Sequence, residues 1–240
     1  MPTPINPTRI EVVADPVRDR CLLTTGLLSP RRLQAADGVV RVALVAASAL
    51  LLAGDQVEIQ VVVRGPVRVE IVETAGTVAY AMRGGSARWD VSVQLTDGAE
   101  LSWHGEPFVV SEGADVARSM TVEMETGCEL AVRESLVFGR HGEIGGTLHS
   151  SQRAHLDGQL ILAEDLDLTP AARPGWAILG GARCLDSITT LGRRLPDSPD
   201  TLQLEGPGSM VRRLVQDQHL SDLAQSWAAS SKPDKISECS

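Results

Sequence analysis

Apolar and polar residues alternate over a series of short stretches in this chain, most clearly up to about residue 168. Val57-Glu-Ile-Gln-Val-Val-Val63, Val67-Arg-Val-Glu-Ile-Val72 and Arg88-Trp-Asp-Val-Ser-Val-Gln-Leu95 follow a period of two. Met120-Thr-Val-Glu-Met124 and Leu160-Ile-Leu-Ala163 continue it. That period buries one face of a strand and leaves the other in water. Glycine-bearing turns separate the stretches at Arg64-Gly65-Pro66, Gly84-Gly85, Asp97-Gly98, Thr126-Gly127, Gly145-Gly146 and Asp157-Gly158. Glycine supplies the positive φ that tight turns need. Helical periodicity is nearly absent here, so short strands predict a sandwich, a barrel or a β-solenoid.

A longer repeat narrows that choice. A turn glycine, an alternating strand and then a carboxylate recur as Gly65…Glu73, Gly98…Glu106, Gly127…Glu134 and Gly158…Glu164. The glycines are spaced 33, 29 and 31 residues apart, a period that marks stacked units sharing one core. The expected fold is mainly β, a stack of short strands with a small helical C-terminal part. After Leu168 the pattern changes: loops at 169–175 and 195–200 flank a strand over 182–191. Ser209 is placed to cap a helix reaching about Ala228, with Met210, Val211, Leu214, Val215, Leu223 and Trp227 mostly on one stripe. The expected organisation is a β-rich domain over 1–208, a helix over 209–228 packed on it, and a flexible polar tail over 229–240.

Composition excludes several functions. The formal charge is −9, with 22 basic against 31 acidic residues, and the chain has one Tyr and two Phe. It lacks both the basic footprint and the stacking platforms of a nucleic-acid binder. Aromatics are 3% of residues and hydrophobics 43%, so the core must be built from Val, Leu, Ile and Ala. The apolar run from Val39 to Ala53 is interrupted by Arg41 and Ser48 and is too short to span a bilayer. Met1-Pro-Thr-Pro-Ile-Asn-Pro7 shows no secretory pattern. Cys21, Cys128, Cys184 and Cys239 form no CxxC pair and fit a reducing compartment. The expected location is the cytoplasm, with no membrane partner.

Catalytic motifs are missing: no phosphate loop, no nucleophile elbow and no HExxH pair occur. His149 and His155 would share a face of one strand, but nothing beside them reads as a ligand. What remains is carboxylates and a His-Gly-Glu phrase that occurs twice, as His104-Gly105-Glu106 and His141-Gly142-Glu143. One reading is a turn glycine flanked by polar residues. The other is chemical: imidazole with carboxylate suits a borderline divalent metal such as nickel or zinc. Separated acidic positions, one per unit, fit a metal in transit better than a stored one, because weak sites let an ion leave again.

Ordered landmarks between Leu51 and Leu168 resemble the urease accessory protein D (UreD) family, called H (UreH) in some organisms. They are Gly54-Asp55, Thr74-Ala-Gly-Thr-Val-Ala-Tyr80, Gly98-Ala-Glu-Leu-Ser-Trp103 with Glu106-Pro107, Glu134 ahead of Gly139-Arg140 and Gly142-Glu143, and Glu164. The resemblance implies a right-handed β-helical stack and a non-enzymatic scaffold in urease maturation. Its implied partners are the urease apoprotein, accessory protein F and the GTPase G, and its cargo is nickel in transit rather than a tightly bound cofactor. By position it makes Asp55, Thr77, Glu134, Glu143 and Glu164 the candidates for lining an internal nickel passage, with Asp55 first among them. His104, Glu106 and His141 are further candidates. Two alternatives from other classes are a carbohydrate-active enzyme on a β-helix, with paired carboxylates as acid and base, and a purely structural interaction module. Four Trp, one Tyr and no Asn beyond Asn6 make the first a poor fit.

Overall fold

The computed structural model describes residues 6–35, 38–223 and 227. Its strands form two sheets facing each other across one core. The first is seven-stranded and contains β1 (Thr8–Val13), β2 (Arg20–Thr24), β5 (Gln56–Arg64), β8 (Ala87–Thr96), β10 (Asp115–Met124), β12 (Thr147–Leu156) and β13 (Gln159–Asp167). The second is nine-stranded. It contains β3 (Leu28–Leu33), β4 (Val39–Ala46), β6 (Arg68–Glu73), β7 (Thr77–Ala79), β9 (Glu100–Val110), β11 (Glu129–Phe138), β14 (Cys184–Leu191), β15 (Thr201–Gln203) and β16 (Gly208–Val215).

From β5 to β12 the chain passes from one sheet to the other and back, and each strand lies parallel to its counterpart one coil later. Gln56 pairs with Arg88 in the first sheet, and Arg68 with Glu100 and then Glu129 in the second. This is the coil of about thirty residues that the glycine spacing predicts, a β-solenoid. Gly65, Gly98 and Gly127 all turn from the first sheet to the second with positive φ. The fourth phrase departs from the pattern. Gly158 also has positive φ, but β13 runs antiparallel to β12 within the same sheet. The solenoid therefore ends at β12, and β13 is a hairpin strand closing its edge.

Successive coils are fastened at their turns by carboxylates. Glu125 accepts the Asp97 amide at 3.1 Å, Asp157 the Thr126 amide at 3.0 Å, and Glu143 the Glu112 amide at 3.1 Å. Each accepts from a backbone donor of the preceding coil and so ties the two coils together at the turn. Inside, aliphatic side chains from both sheets make one continuous cluster, including Ile59, Val61, Ile71, Val93, Leu95 and Leu130.

The C-terminal helix expected over 209–228 is corrected by the structure. Gly208–Val215 is strand β16, antiparallel to β14. The edge of β14 offers a row of backbone partners, and β-branched and apolar residues at Met210 and Val211 bury on both faces of the new strand. Ser209 caps no helix: its hydroxyl accepts from the Leu195 amide at 2.9 Å and donates to Gln203 at 2.6 Å. A short 3-10 turn follows at Gln218–Leu220, and helical backbone occurs at Leu223 and Trp227. The rest of the expected helix and the 229–240 tail lie outside the described residues. Among the described residues no helix is long and apolar enough to cross a membrane.

Candidate functional site

A strand that alternates core and solvent presents its side chains in rows across the sheet. In β11 the inward row reads Leu130, Val132, Glu134, Leu136 and Phe138. One carboxylate therefore stands in an otherwise aliphatic row, and Glu134 is buried at 9% exposure. An ionised carboxylate there is tolerable only with partners. It has two, both from the opposite sheet: Arg118 of β10 in a close ion pair, and the Gln152 amide of β12 at 2.6 Å.

Beside this group lies a small cavity of about 20 Å³, lined by Glu73, Glu106, Arg118 and Glu134 among Trp89, Trp103 and Phe108. Glu73, as a residue only half-buried, directs its carboxylate into it. The Trp103 indole N–H donates to Glu73 at 3.2 Å and the Glu106 amide at 3.0 Å. Burial nevertheless pushes its pKa up to about 7, because desolvation outweighs those donors and the nearby Arg118 charge. A second void of about 10 Å³ shares Met120, Val132 and Glu134 with the first and continues to Gln152 and Leu162. Volumes of this order hold about one water molecule each.

The row extends toward the last strands. Gln152 is paired in register with Glu164 of β13, and Glu134 with Ser187 of β14, which is in turn paired with Arg212 of β16. Arg212 closes the gap between the sheets by gripping both oxygens of Glu164, one at 2.7 Å. A seam of charged and amide groups thus runs between the sheets of the solenoid from Glu73 through Arg118, Glu134 and Gln152, and reaches Glu164 and Arg212 on the strands that close its edge.

The sequence candidates divide between this seam and the surface. Glu106, Glu134 and Glu164 belong to the seam. Asp55 sits in a turn after Gly54, where its carboxylate accepts the Leu52 amide at 2.8 Å. Thr77 begins β7, in register with Phe108. Glu143 lies in an exposed turn clasped by Arg140, whose guanidinium and amide, with the Glu112 amide, hold its pKa down to about 2. His141, in that same turn, is exposed. The two His-Gly-Glu phrases are different structures. His141-Gly142-Glu143 is a turn with φ +78° at Gly142. His104-Gly105-Glu106 forms a β-bulge in which Gly105 and Glu106 together oppose Glu134. A Cβ at Gly105 would meet the Arg133 carbonyl oxygen at 2.7 Å.

Alternation with the inward Leu101 and Trp103 puts His104 on the outer face of the second sheet, just ahead of the bulge. There Arg133 approaches it at 3.3 Å and pairs with the fully buried Asp186 at 2.9 Å. Ser221 donates to Asp186 at 2.5 Å, and the Trp227 ring stacks on His104 at 5.4 Å. Burial, and then the Arg133 charge, lower the His104 pKa. His149 and His155 occupy β12 and face Asp167 and Glu123, at 3.7 and 2.9 Å. Among the described residues no three His, Cys, Asp or Glu side chains are gathered to hold a metal ion. Glu73, Arg118 and Gln152 were not legible as site residues. The available signal was the charged or amide residue at an inward position of an alternating strand.

Comparison with known proteins fixes the family. The model of the UreD urease accessory protein family matches residues 24–237. The chain belongs to the UreD family. It is 41% identical over 208 residues to urease accessory protein UreD 1 of Streptomyces griseus, covering 83% of this chain and 82% of that one. It is 31% identical to UreD of Streptomyces avermitilis, covering 80% and 82%, and 34% identical to UreD of Frankia alni, covering 69% and 65%. The UreD match extends past both ends of the Leu51–Leu168 landmarks and takes in β14 to β16.

Proposed function

We propose that this UreD family member is a non-enzymatic scaffold of urease maturation that passes nickel through its solenoid interior to the urease apoprotein. It would do so in a complex with accessory protein F and the GTPase G, which would supply the energy. The observation that carries the reading is the interior seam. Carboxylates are costly inside a two-sheet core, yet Glu134 is buried there and Glu73 lines the same small void beside it, while Glu164 is held by Arg212 at the closing edge. A core needed only for stability would be as well served by the Val and Leu that fill the neighbouring positions. Oxygen ligands far enough apart to bind one at a time suit a divalent ion that must move on.

The test is co-expression of the urease apoprotein with accessory proteins F and G and nickel, with this chain present, absent or carrying Glu134→Gln. Urease activity should require the chain and should fall with Glu134→Gln while the complex still assembles. Equal activity without the chain would remove the maturation role. Full activity with Glu134→Gln would remove the passage.

A further inference from the structure

The seam is closed in this structure, and what closes it is positive charge. Arg118 reaches from the first sheet to Glu134 of the second, with 12% and 10% of the two side chains exposed. Farther along, Arg212 reaches from the second sheet to Glu164 of the first. Both guanidinium groups keep a buried Nε that has no hydrogen-bond partner among the described residues, although Arg carries five donors in a rigid fork. A purely structural arginine in a core would be expected to satisfy that donor. The Arg118 guanidinium also lies 5.5 Å from the centroid of the Phe108 ring, which forms part of the same cavity wall. The ring face already touches the cation while it is paired with Glu134, and can keep it when the carboxylate is taken.

Resting on the passage reading, we propose that Arg118 is the resident counter-ion of the passage. It occupies Glu134 until a divalent cation takes the carboxylate and leaves the guanidinium on the Phe108 ring alone, and its competition keeps cation binding weak enough for release. The physical argument is one of substitution. An empty carboxylate at Glu134 would be prohibitively costly, and one filled permanently by a metal would not deliver it. A tethered guanidinium makes the exchange nearly balanced, since one cation leaves the carboxylate as another arrives. Arg suits the role better than Lys because it stays protonated when displaced. The chain thereby sets selectivity through the strength of an internal ion pair rather than through a preformed ligand cage.

The experiment is equilibrium dialysis of the isolated full chain against nickel ion at pH 7.5, with folding checked by circular dichroism. Arg118→Met should bind nickel at least tenfold more tightly than the unaltered chain. Arg118→Met with Glu134→Gln should lose that gain, which locates the ion at Glu134. A folded Arg118→Met that binds no more tightly than the unaltered chain overturns the proposal. If Arg118→Met does not fold, Arg118→Lys carries the test, because Lys can shed its proton and withdraw. Its affinity should still rise, and an unchanged affinity overturns the proposal equally. Urease activation separates the two ideas. Activation that survives Glu134→Gln sinks the passage itself. Activation lost with Glu134→Gln, together with unchanged nickel affinity in the Arg118 variant, sinks only the counter-ion.

Discussion

Replacing Glu73 by Gln tests whether the interior seam is as dry as its lining implies. Burial raises the Glu73 carboxyl from 4.5 to about 7, a difference equivalent to about 3 kcal/mol in favour of the neutral form. Between these two values the native protein binds more protons at Glu73 than the unfolded chain does. Stability therefore falls as pH rises through this window and stays low above pH 7. Gln cannot ionise, and its side-chain oxygen can still accept from the Trp103 indole and the Glu106 amide, which now bond to Glu73. The Glu73→Gln protein should gain stability over the parent as pH increases from 4.5, reaching an advantage of up to about 3 kcal/mol near pH 8. Urea unfolding of both proteins at half-unit pH steps measures it, and titrating groups that do not interact with Glu73 cancel in the difference. A difference that is flat across this range would show that the carboxylate is hydrated, and the closed-seam description would fall with it.

Three other perturbations have defined outcomes. Asp186→Ala leaves the Arg133 guanidinium without its fully buried partner and should cost about 3–5 kcal/mol in urea unfolding. Gly192→Ala places a Cβ 1.9 Å from the Cys128 carbonyl oxygen at φ +84°, whereas Gly127→Ala at φ +89° meets nothing within 4 Å. Thermal unfolding should show about 1–2 kcal/mol lost at Gly127 and a distinctly larger loss at Gly192. Trp227→Ala uncovers His104, whose pKa burial holds below 6.5. Its imidazole should titrate closer to the ordinary value in the variant, as read from ring-proton NMR shifts.

The solenoid was legible because its two signals are local and repeated. Alternation marks the strands, and the glycines at 65, 98 and 127 mark turns whose backbone demands positive φ. The C-terminal region was not legible for the opposite reason. Met210, Val211, Leu214 and Val215 fit a helical stripe as readily as a strand whose first half is buried on both sides. The partner that decides between them, β14, is set by tertiary pairing. Gly158 carried the same local signal as its predecessors, yet β13 folds back within its own sheet. The turn dipeptide specifies a reversal, not the sheet that receives the next strand. In the candidate site, Glu134 and Glu164 were singled out by position, but Arg118 and Gln152 meet Glu134 from the opposite sheet, and facing contacts leave no trace in linear spacing.

One carboxylate per coil is therefore not one kind of carboxylate, and the difference can be tested. Glu143 accepts backbone amides at Arg140 and Glu112 in addition to the Arg140 guanidinium. Glu134 accepts only from the side chains of Arg118 and Gln152. A carboxylate that accepts from two fixed backbone amides gives up both hydrogen bonds and loosens the turn if it leaves them for a passing ion. One held by side chains can exchange partners, because those side chains can rotate away. Glu134→Gln should accordingly lower nickel loading of urease even at temperatures where the chain is fully folded, although it leaves the Arg118 guanidinium without its carboxylate and so lowers the unfolding temperature. Glu143→Gln should weaken the turn between coils yet leave nickel loading intact wherever the chain is folded. Measuring urease-bound nickel and unfolding temperature for both variants decides the matter. Normal loading with Glu134→Gln and impaired loading with a fully folded Glu143→Gln would place the route at the surface turns instead of between the sheets.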